Sequence, residues 1–210
     1  MNAKEVLRGA LAHREGRVPV DFGATPVSGM HCSVVEKLRA WYGLEARPVR
    51  VIEPYQMLGE IDVELMDAMG VDVVGVSPRN TMFGFPMEGW KEWKAPWGQV
   101  VEVPGSFNTV TRDGSVYIFP EGDTEVPPSG CMPESGFFFD SVSRQPPLDE
   151  DRLDPQDNLE EFREISDDDL AYFARACRAA EQTGRGVIAN FGGTALGDVA
   201  LVPAPGMKYP

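Results

Sequence analysis

The stretch Val71-Asp72-Val73-Val74-Gly75-Val76-Ser77 decides the fold. It is apolar almost without alternation and breaks into a small polar residue. A run of this kind suits a strand buried on both faces, as in a parallel sheet with helices packed outside. Two further runs share its texture: Val18-Pro19-Val20-Asp21-Phe22-Gly23 before it, and Gly186-Val187-Ile188-Ala189-Asn190-Phe191-Gly192-Gly193 after it. Parallel sheets present ligands at the carboxyl ends of their strands, where the polar breaks fall. The expected class is therefore α/β, of the (β/α)8 barrel type. Three strands cannot close such a barrel, which takes eight strands and roughly 250 residues. The sequence thus reads as the front part of a longer, truncated protein.

Between these runs the apolar spacing changes to three and four. Lys4 to His13 places Val6, Leu7, Ala10 and Leu11 on one helical face. Ser33 with Glu36 makes a capping box for a second helix, with Val34, Val35, Leu38, Trp41 and Tyr42 as its stripe and Gly43 after it. A third helix is expected from Tyr55 to Met69, carried by Leu58, Ile61, Leu65 and Met69 and stopped by Gly70. Strand, helices and strand then form a right-handed crossover.

The segment from Pro78 to Pro147 has another texture. Trp90, Trp93 and Trp97 gather near Phe83 and Phe85, and Asp113-Gly114 separates Thr109-Val110-Thr111 from Val116-Tyr117-Ile118-Phe119. That dipeptide between β-prone runs is a hairpin signal. An antiparallel β-rich insertion is expected, with a loop tail from Pro127 that packs through Phe137, Phe138 and Phe139. The tryptophans make either its core or a lid over the strand ends. Three divisions follow: 1–77 with strands one and two, 78–150 as the insertion, and 151–210 with an acidic linker, a helix and strand three. The last helix runs from Asp167 to Gln182, with Ser166 and Asp169 as its cap and Leu170, Phe173, Ala174 and Cys177 as its buried face.

A net charge of −14 over 210 residues argues against nucleic-acid or anionic-membrane surfaces. No run approaches the roughly 20 apolar residues of a membrane span. Three widely spaced cysteines, Cys32, Cys131 and Cys177, suit reduced thiols and a cytoplasmic setting.

The candidate site residues follow from the strand ends. Asp21 either orients a substrate and exchanges protons with it or caps its own loop. His31 lines the same cleft, ligates a metal, or bonds to backbone as a loop residue. Phe22, Gly23, Ser77, Arg79 and Asn190 are expected to bind substrate, with Gly192 and Gly193 allowing close backbone approach. Arg79 binds an anion or pairs with an acid. Cys32 reads as a buried small residue, and no metal site is assigned.

Arg17-Val-Pro-Val-Asp-Phe-Gly-Ala-Thr-Pro-Val-Ser-Gly-Met-His31 resembles the opening of proteins related to uroporphyrinogen decarboxylase. So do Val51-Ile-Glu-Pro-Tyr-Gln-Met-Leu-Gly-Glu60, Met69-Gly-Val-Asp-Val-Val-Gly-Val76 and Asn190-Phe-Gly-Gly-Thr-Ala-Leu-Gly-Asp-Val-Ala-Leu-Val-Pro203. The resemblance covers essentially the whole chain. It implies a (β/α)8 barrel and one of two chemistries. Authentic decarboxylases remove acetate carboxyls from a tetrapyrrole without metal or cofactor. Their arginine-rich first loop pairs with substrate carboxylates, and an aspartate ends their second strand. Here the loop from Asp21 to Gly29 has no arginine, and Gly75-Val76-Ser77-Pro78 has no carboxylate. An anionic substrate would meet Asp21 and be repelled.

The sister group, corrinoid-dependent methyltransferases, uses zinc to make a thiolate that takes a methyl group from methylcobalamin. Its ligands, a His-x-Cys pair and a distant Cys, belong to the later half of the barrel. The adjacent His31-Cys32 is only a partial imitation. The resemblance therefore implies a methyltransferase-like relative whose catalytic half, zinc and corrinoid partner lie outside this chain, so that the chain alone is inactive. Authentic porphyrinogen decarboxylation is the alternative. A third reading is a noncatalytic half-barrel module that needs an oligomer or a complementing chain, because its open edge would meet water.

Overall fold

The computed structural model describes residues 2–144, 151, 165–191, 206 and 208. Among them the fold is mixed α/β, with four α-helices, ten strands in three sheets and no closed barrel. The helices are α1 (Ala3–Leu11), α2 (Cys32–Trp41), α3 (Val63–Met69) and α4 (Asp167–Gln182). The strands are β1 (Val49–Glu53), β2 (Leu58–Gly59), β3 (Val73–Val76), β4 (Lys91–Lys94), β5 (Val100–Val103), β6 (Thr109–Arg112), β7 (Ser115–Ile118), β8 (Gly130–Met132), β9 (Asp140–Ser141) and β10 (Gly186–Ala189).

The second and third apolar runs pair as expected. β10 lies parallel to β3, in register from Gly186 opposite Val73 to Ala189 opposite Val76. Partners in a parallel ladder share a face, so Val73, Gly75, Gly186 and Ile188 look one way and Val74, Val76 and Val187 the other. α4 covers the second face, packing Phe173 and Ala180 against Val76 with Val74 alongside. The first face is covered where it carries glycine. A Cβ on Gly186 would sit 2.3 Å from Leu7 Cδ2 of α1, and one on Gly75 would sit 1.8 Å from the Ala24 carbonyl oxygen. Glycine at both positions lets helix and loop lie directly on the strands.

The first apolar run is not a strand. Pro19 offers no N–H to a ladder, and Gly23 turns the chain at φ +82°. The run is held to β3 by Asp72. The buried carboxylate takes two bonds from Arg17, at 2.7 and 2.6 Å, and one from the Val20 N–H at 2.8 Å. Asp72 N–H donates back to the Val20 carbonyl, and its own carbonyl accepts from Gly186 N–H, both at 2.8 Å. Arg185, also buried, donates to the Val71 carbonyl at 3.0 Å and pairs with Asp67 of α3. These bonds fix the β10 register from the adjoining residue.

The segment from Lys91 to Ser141 is β-rich and mostly antiparallel, as expected. Asp113 and Gly114 form the hairpin turn, both left-handed at φ +49° and +80°. The tail expected as loop contains β8 and β9, with Phe139 fully buried and Phe137 and Phe138 half-exposed. One strand also pairs outside the insertion: β5, antiparallel to β4 on one edge, runs parallel to β1 on the other, giving the order β2-β1-β5-β4. Val51, Leu65, Phe83, Phe107, Ile118 and Met132 accordingly share one core.

Three helix expectations change. The third helix is only Val63–Met69, because the Glu53 carboxylate accepts the Tyr55 and Gln56 N–H groups and turns the chain first. Leu58 and Gly59 then pair with β1. α2 is capped by His31 instead of a Ser33–Glu36 box. α4 keeps its Ser166 cap, but Leu170 and Ala174 are exposed and its buried side is Phe173 and Ala180. Most of the acidic linker lies outside the described residues.

Gly75→Ala is expected to lower stability by about 2 kcal/mol or more, because its methyl meets rigid backbone on the strand. Gly9→Ala, in the middle of α1 with nothing within 4 Å of its Cβ, should instead raise it by up to about 1 kcal/mol. Urea unfolding of both variants checks this. A neutral Gly75→Ala would show that Ala24 does not lie on β3.

Candidate functional site

Parallel pairing places Ser77 and Asn190 at one end of the β3–β10 sheet. Asn190 N–H continues the ladder to the Val76 carbonyl at 2.8 Å. The loop that follows Asp21 reaches the same half of β3, since Ala24 lies on Gly75. The structure therefore brings the Asp21 loop, Ser77 and Asn190 to the carboxyl ends of the two strands, where α/β sheets present ligands.

Local bonding shapes that loop. Asp21 Oδ1 accepts from Ala24 N–H at 3.2 Å, so its carboxylate caps the turn. Gly23 N–H closes the loop on the Ser28 carbonyl at 2.9 Å, and a Cβ on Gly23 would strike Ile61 at 2.6 Å. Phe22 is partly exposed beside it. Gly192 and Gly193 lie outside the described residues.

Arg79 follows β3 by three residues. Its guanidinium lies 3.5 Å from Glu88 in a cleft of about 260 Å³ that α4 completes with Asp168, Tyr172 and Arg175. Burial pushes the Tyr172 phenol up, and the Arg79 charge opposes that rise. Sequence reasoning named Arg79 but missed Tyr172 and Arg175. Their signal was the spacing of Asp168, Tyr172 and Arg175 by four and three, one face of a helix whose start abuts a strand exit. A larger cleft, about 440 Å³, lies along α1 and residues 14–17. Arg17 joins Asp72 at the opposite end of β3, so that cleft is remote from the strand exits.

His31 sits elsewhere, on the insertion side. Its Nε2 lies 2.8 Å from the Phe137 carbonyl, which can only accept, so Nε2 carries the proton. Nδ1 then accepts from the Ser33 N–H at 3.2 Å and lies 2.8 Å from the Ser33 hydroxyl. Both nitrogens are engaged, and the ring leans on Trp97 at 5.1 Å. This arrangement caps α2 and ties it to the Phe137 loop. Trp93 and Trp97 meet edge-to-face at 6.4 Å against the main core, while Trp90 lies under Arg50.

Cys32 is fully buried. Its thiol lies 3.6 Å from Gln99 Oε1, which also accepts from Trp97 Nε1 at 2.9 Å. Burial pushes the thiol up to about 12. A buried thiol and an imidazole with both nitrogens bonded do not fit a zinc ion, which needs thiolate and free imidazole donors. Among the described residues, no three His, Cys, Asp or Glu side chains form a metal-ligand group. Nor is any helix among the described residues long and apolar enough to cross a membrane.

Cys32 is expected to alkylate at least about tenfold more slowly than Cys131 and Cys177, which are partly exposed. Timed iodoacetamide labelling near neutral pH, read by peptide mass spectrometry, measures this. Equal rates at all three would contradict the buried network.

No protein-family model matches the chain, and no curated protein or solved structure matches it.

Proposed function

We propose that this chain is the opening arc of a (β/α)8-type barrel related to the uroporphyrinogen decarboxylase superfamily, on its methyltransferase-like branch. The observation that carries the reading is the in-register parallel pair of β3 and β10, with Ser77, Asn190 and the Asp21 loop at one end. The chemistry of that end supports the branch. The loop from Asp21 to Gly29 holds a carboxylate and no guanidinium, and β3 ends in Ser77 and Pro78 with no carboxylate. In that loop a polycarboxylate porphyrinogen would find no fork-shaped cation, the nearest being Arg79 beyond β3, whereas a corrinoid offers amide groups to Ser77 and Asn190.

The exposed Val187 and Ile188 of β10 favour a second reading, a module completed by a partner chain. Sedimentation separates it from the first: a folded, stable monomer opposes the need for a partner.

For the first reading, the purified chain is titrated with methylcobalamin and, under reducing conditions, with uroporphyrinogen, following tryptophan fluorescence. Saturable quenching by the corrinoid alone is expected, weakened severalfold by Asn190→Ala. Saturable porphyrinogen binding with carboxyl loss would instead establish the decarboxylase.

A further inference from the structure

We propose that the cleft between the exit of β3 and α4 is a binding site for a small oxyanion, carboxylate or phosphate, held by the Arg79 and Arg175 guanidinium groups and the Tyr172 hydroxyl. The proposal stands on the cleft itself and is independent of the barrel and methyl-transfer reading.

The donors come from two elements. Arg79 leaves β3, and Tyr172 and Arg175 lie on one face of α4, all lining the same cleft of about 260 Å³ with Met87 as an apolar wall. Their hydrogen-bonding capacity is little used. Arg79 has Glu88 at 3.5 Å, the outer limit of a bond, and neither Arg175 nor the Tyr172 hydroxyl bonds to any described residue. An ordinary guanidinium–carboxylate bond is about 2.8 Å long. An oxyanion between the two guanidinium groups would gain shorter, charge-assisted bonds and a phenol donor.

Two acids line the same cleft. Glu88 is mostly exposed, and Asp168 lies in the exposed first turn of α4. Their solvated carboxylates weaken the site but do not fill it, because surface pairing at this separation is worth little. The placement agrees with the chemistry, since the cleft opens at the carboxyl end of a parallel strand.

The test is isothermal titration of the 210-residue chain with inorganic phosphate and, separately, with acetate, at low ionic strength. Saturable binding of at least one anion is expected, and the tighter one identifies which oxyanion the site takes. Arg175→Gln and Arg79→Gln should each weaken it about tenfold or more, and Tyr172→Phe severalfold. Glu88→Gln should tighten it severalfold by removing a competing acceptor. Circular dichroism confirms folding of each variant. If Arg79→Gln does not fold, Arg175→Gln and Glu88→Gln decide between them. Absence of saturable binding for both anions overturns the proposal. So does an Arg175→Gln variant with unchanged affinity.

Discussion

The Asp72 carboxylate is the constraint on which the strand-end geometry depends. It is 2% exposed and would be costly to bury alone. Burial pushes it up, but the Arg17 fork and the Val20 N–H outweigh that and hold the carboxyl below its ordinary range. A carboxyl depressed in this way contributes stability above its unfolded pKa of about 3.9, and loses it as pH falls through the folded value. The same residue's backbone bonds Val20 on one side and Gly186 on the other. One aspartate at the base of β3 thus sets where the amino-terminal segment and β10 begin. From that base, four paired residues lead β3 and β10 to Ser77 and Asn190.

Small residues turn this anchoring into a covered sheet. Gly75 and Gly186 leave room for Ala24 and Leu7 on one face, while Val74 and Val76 meet α4 on the other. The outer edge of β10 carries exposed Val187 and Ile188, so its pairing capacity is not used by the described residues. The insertion solves a different problem. Phe83, Phe85, Phe107 and Phe139 build a dry aromatic centre, and β5 joins it to β1 by parallel pairing. His31, at the start of α2, closes that side by bonding the Phe137 carbonyl.

The parts legible in the sequence were those set by local chemistry. Asp113-Gly114 demands left-handed backbone and so makes a turn. Ser166 and Asp169 cap α4 within one helical turn. The unbroken apolar runs of β3 and β10 announced parallel strands, but the burial expected of both holds for β10 only at Gly186. What escaped depended on partners far away in sequence. Leu58, Ile61, Leu65 and Met69 fit a helical spacing, yet Glu53 captured two backbone N–H groups and Leu58-Gly59 joined β1. Val18 to Gly23 looked like a strand until the Asp72 side chain, 52 residues away, took the Val20 N–H. At the site, Asp21, Ser77 and Asn190 were readable because they end apolar runs. Tyr172 and Arg175 carried only the helical spacing they share with Asp168, which puts them on one face without marking the cleft that face borders.

β3 and β10 run parallel and deliver Ser77 and Asn190 to one end. Backbone nuclear Overhauser contacts in the isotope-labelled chain test it directly. Cross-strand contacts are expected in the ladder that runs from Val73 with Gly186 to Val76 with Ala189. Contacts that pair Val73 with Ala189 and Val76 with Gly186 would reverse β10 and contradict it.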